Sequence, residues 1–319
     1  MSKAMGYNHH LLIKRESSWG VNPGGNFLRL PVNSAPFGRS RGKVEDPLIG
    51  QGRDPLQVYD DMIDVSGACR VPVDLRNIGF WLTGLLGNPT SSGSGPYTHV
   101  FKSGGLTLPS YSIENGHKGP VVYDLATGVM VRSMSFAKAT RGGPADATVN
   151  LLGQNAAKAG STGGGTPTSK TLARFSNFQG TLKKGGADLG DVKTFEFSYD
   201  NNFEVDTFVN TVGEIGSIDP GQAKLKGSIG MRFANDDLLD EAIAGTAIDL
   251  DLTFTIDADS YLELSLNELY LEEPKRGPEG PGGYDITFPF HGVYNASAGA
   301  MLTATLKNDQ AGTVYTAGP

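Results

Sequence analysis

Two stretches of the sequence share one plan: "DVSGACRVPVDLRNIGFWLTGLLG" from Asp64 to Gly87, and "KLKGSIGMRFANDDLLDEAIAG" from Lys224 to Gly245. In the second, Leu225, Gly227, Ile229, Met231 and Phe233 alternate with Lys226, Ser228, Gly230 and Arg232, the period of a strand with one buried face. In the first, Val65, Cys69, Val71 and Val73 hold the apolar phase, and Gly67 stands 160 residues before Gly227. Each strand then meets a residue able to cap a helix, Asp74 or Asn235, whose side-chain oxygen can accept from the first unpaired N–H groups. Leu75, Ile78, Leu82 and Leu85 keep helical spacing up to Gly87, and Leu238, Leu239, Ala242 and Ile243 do so up to Gly245. The spacing predicts short helices over about 75–86 and 236–244, the second with Asp236 and Asp237 where the backbone dipole favours negative charge.

The parallel extends along the chain. "FLRLPV" at Phe27 matches "FEFSYD" at Phe195, "YTHVF" at Tyr97 matches "LTFTI" at Leu252, and "MSFAKA" at Met134 matches "ITFPFH" at Ile286, all in the same order. The fold class expected is mainly β: a strand-rich unit with one short helix, written twice in blocks of roughly 110 to 130 residues, an ordinary domain size. The 44 Gly and 18 Pro agree with such a turn-rich chain. Two unrelated halves that share alternation are the other reading. "AKAGSTGGGTPTSKT" at 157–171 reads as a linker, so the division expected is 1–160, an N-terminal arm plus first domain, and 161–319, a linker plus second domain. The first sixty residues and the loop from Glu272 to Asp285 read as irregular, and both are candidates for contacts between copies.

Little in the chain points to chemistry. His9, His10, His99, His117 and His291 lack HExxH spacing and a CxxC, so no metal is expected; His9 and His10 read as a flexible terminus and His117 as a turn residue. The lone Cys69 falls on the buried phase of its strand, which points to packing and excludes an internal disulfide. "GGTPTSKT" from Gly164 to Thr171 misses a phosphate-binding loop by one residue and lacks the strand and helix such a loop needs. Asp257 and Asp259 match only the first two ligands of a calcium loop. No enzyme activity and no cofactor are expected. The formal net charge of −7 argues against tight nucleic-acid binding, which needs clustered Lys and Arg. Neither a signal peptide nor a spanning segment is expected.

The order "VSGACRVPVDLRNIGFWLTGLLGNP", "YTHVF", "LPSYSIENG", then "KTFEFSYDNNFEVD" and "LKGSIGMRF", resembles the tail tube proteins of long-tailed, siphophage-type bacteriophages, and "ESSWG" at Glu16 is similar to the opening of that family. The resemblance implies two tandem β-sandwich tube domains, each with a flanking helix, whose inner sheets close into a barrel on assembly. It implies a virion protein, put together in the host bacterial cytoplasm, whose stacked rings form a hollow tail tube that conducts DNA without binding it specifically. If a ring needs six such domains, three chains close it. Partners implied are further copies of the chain and the tape measure, tail terminator and distal tail proteins. Asp60, Asp61, Asp64, Glu204, Asp206 and Glu214 are candidates for an acidic lumen wall. A terminator, distal tail or decoration protein, or a carbohydrate-binding β-sandwich using Tyr270, Tyr284 and Tyr294, are the alternatives.

Overall fold

A computed structural model describes residues 3, 5–49, 52–119, 121–138, 142–208, 213–277 and 282–318. The fold is mainly β, and the chain by itself closes no barrel. In the first half, β1 (His9–Arg15), β2 (Leu28–Leu30), β3 (Gly38–Glu45) and β4 (Val58–Pro72) precede α1 (Ile78–Leu86). After it come β5 (Thr90–Ser92), β6 (Tyr97–Lys102), β7 (Tyr111–Lys118), β8 (Val121–Lys138), β9 (Asp146–Gly153) and β10 (Asn155–Ala159). In the second half, β11 (Thr168–Ser169), β12 (Gly180–Lys184), β13 (Ala187–Asp188), β14 (Val192–Asp200), β15 (Glu204–Asp206), β16 (Ser217–Asp219) and β17 (Lys224–Arg232) precede α2 (Asp237–Ala244). Then follow β18 (Ile248–Asp257), β19 (Ser260–Leu271), β20 (Asp285–Gly292), β21 (Leu302–Asn308) and a terminal turn, α3 (Val314–Ala317).

The first sixty residues are not irregular. "HHLLIKR" lacks alternation because both its faces are covered, with His10 to Ile13 all buried, so period-two reasoning passes over it. His10 Nε2 donates to the buried Glu114 Oε1 at 3.0 Å, and His117 lies in β7, so neither belongs to a loose terminus or a turn. The 157–171 stretch is not a free linker either. Gly164 O accepts from Phe27 N, Glu114 Oε2 accepts from Gly163 N, and β11 adds parallel to β2. Within "ESSWG", Glu16 is buried and its carboxylate accepts from Ser110 Oγ (2.7 Å), Ser112 Oγ (2.8 Å), Gly128 N (2.9 Å) and Gly20 N (2.9 Å). Four donors from three segments converge on one side chain.

Strand pairing recurs along the chain. Gly38 faces Ser66 and Val44 faces Tyr59 in the β3–β4 hairpin; Ser198 faces Lys226 and Glu204 faces Asp219 in the second hairpin, each residue 160 positions on. β15 and β16 are thus the outer ends of that second hairpin. Tyr111 faces Val129 and, across a bulge, Ile113 faces Ala126; Ile248 faces Leu269 and, across a bulge, Leu250 faces Leu266. β4 pairs with β9 as β17 does with β20, β1 with β7 as β12 with β18, and β8 with β10 as β19 with β21. The pairing corrects three sequence landmarks. Phe195 corresponds to residue 35, eight positions after Phe27; β18 answers to β7 and not to "YTHVF", which forms β6; β20 answers to β9 and not to "MSFAKA".

Both long strands serve two layers. The N-terminal stretch of β8 joins β2, β1, β7 and β10, and its C-terminal stretch joins β3, β4, β9 and β14. β19 likewise belongs to β12, β18 and β21 and then, at Leu269–Leu271, to β20. Strand pairing joins the halves in three places among the described residues: β14 adds to β8, β11 adds to β2, and β6, which has no counterpart in the second half, adds to β21. One apolar core runs through both, from Leu11 and Val149 to Leu250 and Leu306.

The helices differ from expectation at their starts. α1 begins at Ile78, not Leu75: Asp74 Oδ2 accepts from Arg76 N and Asn77 N, holding 75–77 as a turn. α2 begins at Asp237 with Asp236 before it, and Asn235 donates to the Asp237 carboxylate instead of capping the helix. α1 also flanks nothing open, because all nine of its residues are buried. Its outer side is covered by α3, whose Tyr315 stacks edge-on to Phe80 and donates to Arg76 O at 2.8 Å. A side chain on Gly79 would meet the Tyr315 ring at 2.4 Å, so this helix face must be bare.

Arg76 also grips Asp309, with 2.8 Å from Nε to Oδ1 and 2.6 Å from Nη2 to Oδ2, which lowers the Asp309 carboxyl to about 2. Because the folded-state value lies below the ordinary one, the pair's stabilisation is present above about pH 4 and is lost as the pH falls through about 2. Asp309 is 55% exposed, so solvent screening holds the effect to about 1 kcal/mol or less. Wild type is expected to lose more stability than Asp309→Asn between about pH 4 and pH 2 in urea melts, and equal losses would remove the pair from the acid response.

Candidate functional site

The seven-stranded run β3-β4-β9-β8-β14-β17-β20 turns one face to the core and leaves the other open. Alternation assigns the faces. Val65, Cys69 and Val71, Val149 and Leu151, Phe195, Phe197 and Tyr199, and Leu225, Ile229 and Met231 are buried. The residues between them point the other way. That open face is built largely from small polar groups, among them Ser66, Asn150, Ser135, Ser198 and Ser228, which line two shallow depressions. Charges of both signs lie among them. Arg70 pairs with Asp146 at 2.9 Å, Ser228 donates to Glu196 at 3.3 Å, and Lys224 donates to Asn202 at 3.2 Å. A surface of short hydroxyls with interleaved charges offers neither a bound anion's cluster of cations nor an apolar platform.

Two glycines allow the sheet its close strand approach. A Cβ on Gly67 would stand 2.2 Å from Pro36 O and 2.7 Å from Phe37 Cα. A Cβ on Gly227 would stand 2.3 Å from Glu196 O and 2.9 Å from Phe197 Cα, the same contacts 160 residues on.

The six acidic candidates fall on the two equivalent hairpins. Asp64 lies on the open-face phase of β4, but a bulge sets Asp61 and Met62 opposite Gly42. Asp60, paired with Lys43 as Ile63 is with Arg41, therefore falls on the other phase, and Asp61 stays beside Gly42 on the open side. Asp60 pairs with Lys43 and with Arg41 at 3.3 Å, and these cations, Lys43 first, pull its carboxyl below the ordinary range. Asp64 accepts from Ser66 Oγ at 2.6 Å, and Asp61 accepts from Met62 N at 2.7 Å. Glu204 faces Asp219 and Asp206 faces Ser217 on the second hairpin. Glu214, in the loop between β15 and β16, accepts from Asn155 Nδ2. Beside it Gly213 O accepts from Ile63 N at 2.8 Å, so the second hairpin's tip rests on the first hairpin. The hydroxyl residues of the open face went unselected in the sequence, since only strand partners show that their separate polar phases share one surface.

Other candidates have local roles. Cys69 is fully buried, and burial pushes its thiol up to about 12. His99 Nε2 donates to Gln310 O at 3.1 Å while its Nδ1 bonds with Ser91 Oγ at 2.8 Å, and desolvation lowers its pKa. Asp257 accepts from Asp259 N in the turn between β18 and β19, and Asp259 pairs with Lys307. Tyr284 packs on Phe233, while Tyr270 and Tyr294 stay exposed. Residues 278–281 of the Glu272–Asp285 loop lie outside the described residues. Among the described residues, no group of three His, Cys, Asp or Glu side chains is placed to hold a metal, and no helix is long and apolar enough to cross a membrane.

A strand-rich scaffold with a bare sheet face and unpaired strand edges is the kind that completes itself by association. Comparison with protein families agrees: the model of the phage tail tube protein family matches residues 6–292, and the chain belongs to that family. It is therefore a structural component of the bacteriophage virion tail. No curated protein matches the chain.

Proposed function

We propose that three copies of this chain close one ring of six tube units, and that such rings stack into the hollow tail tube through which the phage genome passes. The observation that carries this reading is the recurrence of every main strand pairing, bulge included, between residues 9–159 and 180–308. The chain is then divided as 1–160 and 161–319, and each half supplies a single tube unit. Head-to-tail contacts between unequal ends generate a closed ring when the rotation closes. The open sheet faces the lumen, where hydroxyls and mixed charges present no continuous cationic track for phosphates to hold. Asp64 and, beside the bulge, Asp61 are the acidic candidates best phased for that wall, and the net charge of −7 adds a like-charge background. Assembly takes place in the host cytoplasm, with the tape measure protein inside the tube and terminator and distal tail proteins at its ends. Electron-microscopic reconstruction of tubes grown from the purified protein is expected to show three chains per ring with approximate sixfold symmetry. Six chains per ring would overturn the proposal.

A further inference from the structure

Among the long strands that the two halves share, β8 and β19 end differently. β8 runs for 18 residues and β19 for 12. Up to Val131, opposite Leu151, and Leu271, opposite Phe290, the two keep step. Beyond that point β8 continues, and Ser133–Lys138 is the stretch to which β14 adds. β19 stops, and Glu272–Gly277 leaves as a largely exposed coil. At the other end of the sheet, β3 is the counterpart of β14. Seven of its eight residues are exposed, and among the described residues its paired strand is β4 alone. Each side of this joint is present in the chain without the other.

We propose that Glu272–Gly277 of one copy extends β19 along the outward edge of Ala35–Ser40, the run that leads into β3, in the next copy, reproducing between chains the β8–β14 joint found within one. This rests on the proposed ring and names the residues that close it. The hydrogen bonds set the register. Ser34 and Arg70 exchange both backbone bonds, so on that strand the even residues face β4, and Ala35, Phe37 and Arg39 turn their N–H and C=O outward, where Phe37 O already accepts from Asn115 Nδ2 at 2.6 Å and has its second lone pair left for the ladder. Glu272 N donates to Pro289 O at 2.8 Å, so Glu272 faces β20 and Glu273 is the first residue facing away. Within the chain Asn201 N donates to Arg132 O at 2.9 Å, which makes Tyr199 with Met134 and Phe197 with Phe136 the bonded pairs. Their counterparts are Arg39 with Glu273 and Phe37 with Lys275, followed by Ala35 with Gly277. Opposite charges thus stand where the buried Tyr199 and Met134 stand within the chain. The prolines agree with this register. Pro274 faces its own β20 and Pro36 its own β4, so neither removes a donor from the new ladder. Forming it releases the Arg276–Glu273 pair and the Gly277 N to Tyr284 Oη bond, and Phe37 O must share its lone pairs between the new strand and Asn115 Nδ2. The hairpin tips follow the same shift: Gly213 O on Ile63 N becomes Arg53 O of one copy on Ala223 N of the next.

The test is a disulfide across the non-bonded pair, where Cβ atoms lie closest. Ser40→Cys with Glu272→Cys in one chain, assembled and mildly oxidised, is expected to give covalent dimers and trimers, while either single variant gives none. Ser40→Cys with Glu273→Cys, whose side chains fall on opposite faces, serves as the register control and is expected to link weakly. Absence of cross-links in tubes that show threefold rings overturns the joint and leaves the ring of three intact. Ladders running past three chains keep the joint and overturn the ring of three. Wild-type protein provides an independent readout: amide exchange at Phe37, Arg39, Glu273 and Lys275 is expected to slow at least about tenfold on assembly, and unchanged exchange overturns the joint.

Discussion

Gly227→Val is expected to destabilise the chain by about 3 kcal/mol or more, the upper range for forcing extra carbon into a packed site. The obstruction is backbone. A Cβ there would lie 2.3 Å from Glu196 O and 2.9 Å from Phe197 Cα, with Phe290 Cζ at 2.3 Å closing the remaining side. Phe195 and Phe290 stack with centroids 6.0 Å apart, so the ring cannot withdraw without opening the core beneath the sheet. β14 would have to move away from β17, and its other edge is held by β8 across the joint between the halves. Gly67→Val should cost a similar amount, because Pro36 O and Phe37 Cα occupy the equivalent places. Urea melts with unchanged slope and a lowered midpoint would report it. A loss below about 1 kcal/mol in either variant would mean that the strands can part more easily than this packing allows.

Glu16→Ala is the second large effect, expected at about 3 kcal/mol or more, since it strands several buried donors at once. The Ser110 and Ser112 hydroxyls and the Gly128 and Gly20 N–H groups all donate to this one carboxylate. Glu16→Gln keeps the volume and one acceptor oxygen but puts a donor where Glu16 had an acceptor, so an intermediate loss is expected. Trp19, held against Gly128, gives the readout. Its fluorescence should shift toward that of exposed tryptophan in Glu16→Ala well below the global unfolding midpoint. A fluorescence change coincident with global unfolding, with full wild-type stability, would rule out this anchoring role.

Features that depend on near neighbours were legible in the chain. The strand before each helix follows from alternation at Val65 to Val73 and at Leu225 to Met231, and Cys69 falls inside by the same count. Features set by distant partners were not. β1 hides because both its faces are covered, and the amphipathic reading of α1 fails because Tyr315, far along the chain, roofs its outer side. Glu16 carries no signal beyond the "ESSWG" resemblance, since its four donors come from residues 20, 110, 112 and 128. The acidic candidates were chosen for closeness to matching strands, yet the bulge that sets Asp61 and Met62 opposite Gly42 shifts the phase of β4 and separates Asp60 from Asp64.

By itself, then, the sequence determined that the chain is β-rich and that one strand-and-helix plan occurs twice, because periodicity and capping act over a few residues. Only the tertiary structure decided which strands are partners, which face of the sheet stays open, and that among the described residues β3 and the end of β19 are left with unmatched edges. The reason is that register is settled between segments far apart in the chain, by contacts that no local pattern encodes.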